Sequence, residues 1–301
     1  MIWQLATFTH KNSKLRIGVI IDDHVLTYPQ QHTIADLITN LRDDGDIVPT
    51  QTVSRYALAD VNLVSRVVAP LSIRDFYAFE EHVATANRNR GRDVPSQWYE
   101  IPVFYFSNPN EVYGDGDIVP YPIGSQKLDY ELEVAAVIGK QGRNIAAEDA
   151  ENYILGYTIY NDWSARDIQA QEMRVGLGPA KGKDFAQSFG RLLVTPEEIA
   201  DKRTDRVGVY DLEMVARVNG EERSRGNWQS LHWSFGEMIA RASAGATLYP
   251  GDVIGSGTVG TGCLLEVTAG QGPYLQVGDV VELEIKRLGT LRNTVGQSEN
   301  A

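Results

Sequence analysis

Three carboxylates alternate along one short segment of the chain. Asp129, Glu131 and Glu133 occupy positions i, i+2 and i+4, and alternate residues of a β-strand point to the same face of its sheet. Three like charges so close together repel one another unless water or a cation neutralises them. The segment runs directly into the apolar residues 135–138, which are typical of a buried strand. The pattern therefore indicates either a divalent cation bound by these carboxylates or a solvated outer face of the strand.

Asp162 offers a further oxygen ligand for such a cation. Hard cations prefer a few carboxylates, with water or substrate oxygens completing the shell. Asp162 also stands at or near the start of a predicted helix over residues 162–171, where it could simply cap that helix. The five histidines show no pair at the spacing of a zinc site. The predicted cofactor is a divalent cation, Mg²⁺ first, with Mn²⁺ or Ca²⁺ as alternatives.

His82 is the candidate general base. It follows a segment that begins at Asp75 and precedes the basic stretch over residues 88–92. An imidazole titrates near neutral pH and can take a proton from water. A histidine among carboxylates is also commonly a surface residue, and spacing alone does not separate these two interpretations.

Two glycine-rich segments resemble nucleotide-binding loops without meeting their requirements. Residues 255–260 match G-x-G-x-x-G, but that motif needs a helix to follow, and residues 261–267 are typical of a strand. Residues 176–183 lack the glycine spacing of a phosphate-binding loop, and Asp184 stands where that loop needs Ser or Thr. The first segment is therefore predicted to be a loop that lines a pocket, and the second is not a nucleoside triphosphate site.

The elements that must position these residues divide the chain in two. Residues 1–70 are predicted to form a small N-terminal β-rich domain, with strands over residues 15–20 and 24–28 and a short helix over residues 34–41. Residues 71–301 are predicted to form the catalytic domain. Its strands do not alternate regularly with helices, which favours a mixed α/β, mostly β fold over a doubly wound sheet.

The predicted elements of the larger domain are strands joined by long loops. The apolar periodicities, the turn residues and the Pro- and Gly-rich stretches set their limits. They are a short buried strand over 103–106, a non-helical segment over 108–126, a strand over 128–139, a helix over 162–171, a hairpin of strands 212–218 and 221–225, a helix over 234–242, and turn-and-strand segments over 251–254 and 278–285.

Composition narrows the class of protein. The 301 residues carry 28 Lys and Arg against 40 Asp and Glu, a net charge of −12, which argues against general affinity for nucleic acids. No stretch approaches the ~18 apolar residues of a membrane span, and the N-terminal sequence does not resemble a signal peptide. Cys263 is the only cysteine, so it forms no disulfide within the chain and is predicted to pack in the core. We expect a cytoplasmic protein that acts on a small molecule, without nucleic-acid or membrane partners.

The motifs and their order resemble those of the fumarylacetoacetate hydrolase family, from about Leu71 onward. The segments that carry the resemblance are 75–77 with His82, 128–133, 161–169, 182–185 and 256–258. The resemblance implies the family's mixed β-roll, preceded here by the small N-terminal domain, and a homodimer.

The resemblance also implies roles for the candidate residues. The metal ligands would be Glu131, Glu133 and Asp162, with Asp75 as a candidate fourth. His82 would activate a water molecule and would be oriented by Glu266. The side chains at the substrate would be Tyr77, Arg166, Gln169, Lys183 and Thr258, with Lys183 also supplying catalytic charge. Asp129 shares the face of the ligands but is not a usual ligand in the family.

Two positions depart from the family pattern. Where the fumarylacetoacetate-cleaving members carry a substrate-binding tyrosine, four residues after the glutamine, this chain has Met173. After the lysine those members continue with Phe-Gly-Thr, whereas residues 185–187 are Phe-Ala-Gln. A thioether is a flexible and weak acceptor compared with a hydroxyl, so a shorter or less polar acylpyruvate is the expected substrate.

The function implied by the resemblance is cleavage of a C–C bond in a small diketo acid by a divalent-metal-dependent hydrolase. Water activated by His82 would attack a carbonyl, and the leaving enolate would be stabilised at the cation and by Lys183 or Arg166. An alternative is an isomerase, tautomerase or decarboxylase of a related keto acid, because the same enolate can be protonated without hydrolysis. A third hypothesis is a non-catalytic protein with a structural Ca²⁺ at the carboxylates.

Overall fold

Strands dominate the regular structure of the protein. A computed structural model describes residues 4–11, 16–27, 54–64, 68–89 and 91–299. Within these residues strands outnumber helices, which confirms the prediction of a mixed α/β, mostly β fold. The predicted helix over residues 34–41 lies outside the described residues. No helix in the described ranges is long and apolar enough to cross a membrane.

The strands and helices are numbered in chain order. The described strands are β1 (Gln4–His10), β2 (Arg16–Ile21), β3 (His24–Thr27), β4 (Ser54–Ala57), β5 (Val61–Leu63), β6 (Ile73–Phe76), β7 (Phe104–Ser107), β8 (Val112–Tyr113), β9 (Ile118–Val119), β10 (Leu128–Asp129), β11 (Leu132–Ile138), β12 (Gly142–Arg143), β13 (Ile154–Asp162), β14 (Ser164–Ala165), β15 (Gln187–Phe189), β16 (Leu192–Val194), β17 (Glu213–Val218), β18 (Glu221–Asn227), β19 (Thr247–Leu248), β20 (Val253–Gly255), β21 (Val280–Ile285) and β22 (Gly289–Val295). The described α-helices are α1 (Glu80–Asn89), α2 (Arg166–Glu172), α3 (Phe235–Ser243) and α4 (Leu264–Val267). Short 3-10 helices span Leu58–Asp60, Ser96–Tyr99, Ala147–Tyr153, Met173–Val175, Ala200–Lys202 and Trp228–Ser230.

A 13-stranded mixed sheet forms the frame of the molecule. Its main path runs β4-β3-β2-β1-β16-β13-β11-β20-β6-β7, with β5, β8 and β15 paired beside it. The central strand β11 pairs with β13 on one side and β20 on the other, and every one of its residues is buried. The apolar run over residues 134–138 follows from this position, because both faces and both edges of the strand are covered.

A second sheet covers the first and encloses the main core. It has five strands in the order β18-β17-β21-β22-β9. Val134 and Ala136 of β11 share one buried cluster with Met214 of β17 and Leu283 of β21. The two sheets are thus held together by apolar side chains from their facing surfaces, which fixes the central strands rigidly.

The N-terminal strands continue the large sheet. β1 pairs antiparallel with β16, joining Leu5 to Leu193, and Val19 of β2 belongs to the same buried cluster as Val137 and Tyr160 of the central strands. Residues before and after position 70 therefore contribute to one hydrophobic cluster. The boundary between the two domains at residue 70 stays a prediction.

Several predicted elements lie where the sequence places them. The hairpin of β17 and β18 turns at Asn219 and Gly220, both with positive φ, as a tight primed turn requires. Helix α3 begins at the predicted position because Ser234 and Glu237 form a reciprocal capping box. The segment over residues 108–126 contains no helix, as its Pro and Gly content predicts.

Four predicted elements differ from the structure. The strand over residues 128–139 is interrupted at Tyr130 and Glu131, which separates β10 from β11. The strand near residues 103–106 is at the end of the sheet path, and its Phe106 is exposed rather than buried. The predicted helix over residues 162–171 begins only at Arg166. Residues 261–267 do not form a strand, since α4 occupies Leu264–Val267.

Candidate active site

Three strands of the large sheet bring carboxylates to one place. Glu133 lies in β11, and Asp162 is the last residue of β13, which pairs with it. Asp75 lies in β6, where it is opposite Gly255 of β20. A Cβ atom at Gly255 would collide with Oδ1 of Asp75. The glycine in β20 therefore lets the carboxylate of Asp75 reach across to those of β11 and β13.

The resulting cluster has the composition of a site for a hard cation. Asp75, Glu133 and Asp162 each place one carboxylate oxygen within 4.8 Å of the others, and all three side chains are buried. Oδ2 of Asp162 accepts hydrogen bonds from Lys183 and Tyr105, whereas its buried Oδ1 has no partner among the described residues. An unpartnered buried carboxylate oxygen next to two further carboxylates fits an oxygen-coordinated divalent cation. The predicted N-cap role of Asp162 is wrong, because the residue ends a strand and Ala165 caps α2.

Burial and mutual repulsion make this cluster electrostatically unstable on its own. Burial raises the pKa of Asp75 well above its usual value, and the charge of Asp162 raises it further. Burial likewise raises the pKa of Glu133, with the charge of Asp75 as the next cause. Like charges brought together without water disfavour ionisation. A bound dication would remove this cost, which is why the residues present fit the predicted cofactor.

Glu131 stands apart from these three carboxylates. Its oxygens accept from Lys183 Nζ at 2.5 Å and from Arg166 Nη1 at 2.8 Å. Burial alone would raise the pKa of Glu131, but Lys183 and Arg166 together hold it below its usual value. The structure therefore places Glu131 beside the cluster in an ion-pair network, and its role as a metal ligand stays a prediction.

Lys183 bridges the two groups of carboxylates. Its Nζ donates at 2.5 Å both to Glu131 and to Oδ2 of Asp162. Burial alone would lower the pKa of Lys183, but the charges of Asp162 and Glu131 raise it above the usual value. Lys183 is consequently suited to supplying fixed positive charge and unsuited to releasing a proton at neutral pH.

His82 and Glu266 form a buried dyad on two helices. His82 lies in the first turns of α1, Glu266 lies in α4, and His82 Nδ1 donates to Glu266 Oε2 at 2.7 Å. Because a carboxylate accepts this bond, Nδ1 carries a proton, and in a neutral imidazole the lone pair is therefore on Nε2. The contact that the resemblance implies between these residues is present, and the role of His82 as a base stays a prediction.

Cys263 packs against the same dyad. It is fully buried, as predicted, and its Sγ donates to Glu266 Oε2 at 3.5 Å. Ligand atoms of His82, Cys263 and Glu266 lie within 4.8 Å of one another, a grouping that the spacing of the histidines did not indicate. Burial, and then the charge of Asp129, raise the pKa of the Cys263 thiol well above its usual value. A neutral thiol is a poor nucleophile, so Cys263 contributes packing.

Asp129 anchors the elements around the site. It is completely buried, and its carboxylate accepts from Arg166 Nε at 2.9 Å and from the backbone N–H groups of Leu264 and Leu265 at 2.8 and 2.9 Å. These contacts hold Arg166 and the start of α4, the helix that carries Glu266, against β10, the strand just before β11. The sequence left its role open, because its three partners are distant along the chain.

A cavity of about 350 Å³ joins the carboxylates to the dyad. The predicted substrate residues line it, namely Tyr77, Arg166, Gln169, Lys183 and Thr258, together with His82, Asp75, Glu131 and Glu133. Tyr105 also lines it and donates to Oδ2 of Asp162 at 2.6 Å. Tyr105 is a site residue that the sequence did not indicate, since nothing in its own segment relates it to a carboxylate 57 residues away.

Comparison with known proteins identifies the class. The family model for the fumarylacetoacetate (FAA) hydrolase C-terminal domain matches residues 72–296. The chain belongs to this family, as its motifs predict. The match begins three residues before Asp75 and includes every candidate site residue.

Individual relatives carry different activities in their names. The chain is 36% identical over 208 residues to the oxaloacetate tautomerase YisK of Bacillus subtilis (strain 168), a match that covers 68% of this chain but only 63% of that protein. It is 32% identical over 220 residues to a 2,4-didehydro-3-deoxy-L-rhamnonate hydrolase of Sphingomonas, which covers 73% of this chain and 70% of that one. The structure resembles a fumarylacetoacetate hydrolase from Exiguobacterium antarcticum, with a TM-score of 0.76 and 25% identity over 98% of this chain and 99% of that one. These matches support an enzyme with the family's mixed β-roll.

Proposed function

We propose that the protein is a divalent-cation-dependent hydrolase that cleaves a C–C bond in a small diketo acid of acylpyruvate type. The observation that supports this most is that one cavity is lined both by His82 of the His–Glu dyad and by Asp75 and Glu133 of the buried carboxylate cluster. The first can activate water, and the second can hold the cation that binds adjacent oxygens of a diketo acid.

The cation would be held by Asp75, Glu133 and Asp162, with Glu131 as the further predicted ligand. When bound, Mg²⁺ or a similar ion would supply Lewis-acid polarisation of the substrate oxygens and neutralise developing negative charge. Around it, the protein contributes rigidity, since the three carboxylates belong to buried strands of one sheet. Rigid placement of charge before the reaction is what makes such stabilisation effective.

His82 would move the proton. Its Nδ1–H is fixed by Glu266, so Nε2 accepts a proton from a water molecule in the cavity, and the resulting imidazolium is stabilised by the Glu266 carboxylate. The hydroxide attacks the carbonyl of the acyl group. The C–C bond next to it breaks, and its electron pair passes to the departing pyruvate carbon as an enolate. Imidazolium then returns the proton to that carbon, which gives a carboxylic acid and pyruvate.

Arg166 and Lys183 would stabilise the negative charge of the substrate and of the enolate. Both line the cavity and are buried. A fixed guanidinium and a fixed ammonium in a site with little water act more strongly than exposed charges. Gln169, Tyr77 and Thr258 complete the wall, and Gln169 Oε1 accepts from Arg166 Nη1 at 3.3 Å.

A second candidate function is tautomerisation or isomerisation of a keto acid. The similarity to an oxaloacetate tautomerase favours it, and the same residues could move a proton between carbon and oxygen without activating water. Decarboxylation of a keto acid would use the same enolate. The two classes differ in their need for His82, because hydrolysis requires an activated water, whereas a proton shift requires only a proton carrier.

The test is a screen of acylpyruvates and of oxaloacetate with added Mg²⁺ or Mn²⁺, followed by product analysis. We expect release of pyruvate and a carboxylic acid from acylpyruvates. We also expect His82→Ala to lower that rate by about 10²–10⁴-fold, the range for loss of a general base. Conversion between keto and enol forms without pyruvate release would support the second function instead.

We further propose a homodimer and a cytoplasmic location, as the family resemblance and the composition imply. The cavity supports the proposal that the protein binds a small-molecule substrate.

A further inference from the structure

The cavity has a charged inner half and an apolar outer half. The carboxylates that line it are buried, and so are the two basic side chains, Arg166 and Lys183. The lining residues nearer the solvent are apolar, with Val103, Met173 and Leu177 exposed by 39%, 45% and 92% of their surface. A ligand that fills the cavity therefore passes from a polar end to an apolar end.

The inner half offers one unused charged donor. Arg166 binds Asp129 through Nε and Glu131 through Nη1, while its buried Nη2 has no hydrogen-bond partner among the described residues. The ammonium of Lys183 is already shared by two carboxylates. Of the described residues that line the cavity, Arg166 and Lys183 are the ones with a permanent positive charge. A single anionic group is thus accommodated, and it belongs at the inner end.

Among the described residues that line the cavity, the outer half has no positive charge for a second carboxylate. Met173 begins the 3-10 helix after α2, and Leu177 follows that helix with Gly176 and Gly178 at positive φ on either side. Leu177 leaves almost all of its side chain in solvent, so an apolar ligand group placed against it would remove apolar surface from water on both partners. A carboxylate placed there would lose hydration without gaining a cation.

We infer that the substrate is a monoanionic acylpyruvate whose acyl group is an uncharged alkyl chain that lies against Met173 and Leu177. This inference rests on the proposed function and narrows its substrate class. Burial of each added methylene is worth about fourfold in affinity. Specificity should rise along the series from acetylpyruvate to butanoylpyruvate and hexanoylpyruvate until the outer half is filled.

The decisive comparison is butanoylpyruvate against succinylpyruvate, which differ only in a terminal methyl or carboxylate. Binding of each to the His82→Ala variant with saturating Mg²⁺ is measured by calorimetry, so that turnover does not interfere. We expect butanoylpyruvate to bind at least about tenfold more tightly, the scale of one lost charged hydrogen bond. Equal or tighter binding of succinylpyruvate, or no binding of either compound, would overturn the inference.

Release of pyruvate by the unmodified enzyme tests the proposed function separately. Cleavage of acylpyruvates with a preference for the diacid would leave the function standing and remove the inference. Preferential binding of butanoylpyruvate without any pyruvate release would support the inferred ligand preference and contradict the proposed hydrolase function. The two failures are therefore distinguishable from one set of compounds.

Variants of the loop locate the effect. Leu177→Ser should lower kcat/KM for hexanoylpyruvate by about tenfold and leave acetylpyruvate nearly unchanged. Val175→Ser is the matched control, since Val175 is exposed two residues before Leu177 but does not line the cavity. Met173→Arg should shift the preference towards succinylpyruvate by about tenfold or more. An equal effect of Leu177→Ser on both acylpyruvates, or of Val175→Ser on hexanoylpyruvate, would contradict the assignment.

Discussion

The unpartnered Oδ1 of Asp162 shows how single atoms define the candidate metal site. Its sister oxygen Oδ2 is held by Lys183 and Tyr105, so Asp162 cannot turn away to satisfy Oδ1 elsewhere. Asp75 and Glu133 sit beside it with pKa values that burial raises. A bound cation would offset the repulsion among these buried carboxylates, whereas without a cation the repulsion remains.

Glu133→Gln should therefore lose Mg²⁺ affinity. The change keeps the shape of the side chain but removes one of the three clustered charges, and we expect a loss greater than the roughly 10–100-fold that follows loss of an outer-shell partner. Calorimetric titration with Mg²⁺ measures it. Glu198→Gln is the control, because Glu198 is also buried but does not line the cavity. Unchanged affinity in Glu133→Gln would remove this residue from the ligand set.

The dyad predicts non-additive kinetics. Glu266→Gln should lower kcat by about 10²-fold, since an amide cannot stabilise the imidazolium of His82 as a carboxylate does. The double variant with His82→Ala should be no slower than His82→Ala alone, because residues that act as a unit do not contribute independently. Steady-state rates of the two single variants and the double variant make the cycle. Additive losses would show that Glu266 acts apart from His82.

At the residue scale, most of the candidate site could be predicted from the sequence. The alternation of Glu131 and Glu133 ahead of an apolar run is visible in the sequence, and the resemblance supplied His82, Lys183 and Glu266. Tyr105 was missed because its contact with Asp162 arises only when β7 and β13 are placed in the same sheet. No local pattern encodes a contact of that kind.

At the scale of elements, Asp129 links β10 to the two helices α2 and α4. Asp129→Asn keeps the volume but leaves the buried guanidinium of Arg166 with one fewer anion. Loss of one partner of a buried ion pair costs about 3–5 kcal/mol, and the start of α4 should loosen as well. We expect a lower free energy of unfolding in urea and a fall in kcat. A variant with normal stability and normal kcat would show that α4 is held by other contacts.

Element boundaries were predicted less well than element types, and the reasons are tertiary. The strand β13 extends to Asp162 because residues 160–162 pair with β15, so the helix starts four residues later than its local pattern suggests. The strand of the carboxylates breaks at Tyr130 and Glu131, where the backbone N–H of Glu131 donates to the side chain of Asn161 instead of to a strand. A single sequence does not reveal where a side chain takes the place of a strand's backbone as hydrogen-bond acceptor.

At the scale of the whole molecule, the N-terminal strands contribute to the core of the larger part. Leu5, Ile17 and Val19 belong to one buried cluster with Tyr160 and Leu193. The composition and strand pattern predicted the mostly β architecture correctly, and they predicted a separate small domain as well. Shared burial across the sheet is not visible in composition, because pairing partners are far apart in the chain.

A chain shortened to begin at residue 71 tests whether the first 70 residues form an independent domain. Removal of β1 exposes the edge of β16 and uncovers the apolar cluster beneath it. Three lost core side chains correspond to about 5 kcal/mol or more, and an open sheet edge favours aggregation. We expect a lower urea midpoint and aggregates in size-exclusion chromatography. A monodisperse shortened chain with an unchanged midpoint would support the boundary at residue 70.

The burial of Cys263 against Glu266 makes the chain's single thiol a reporter of motion in the catalytic region. Only the thiolate attacks an aromatic disulfide reagent, and this thiol is enclosed and has a raised pKa, so labelling requires a transient opening around α4. Labelling of the native protein should therefore be slow, should slow further with saturating Mg²⁺ and a bound acylpyruvate, and should vanish in Cys263→Ser. Complete reaction within the mixing time would show that α4 opens freely. The reagent releases a coloured thiolate when it reacts, so the rate of colour formation reports how often the region around His82 and Glu266 opens, without any substrate being turned over.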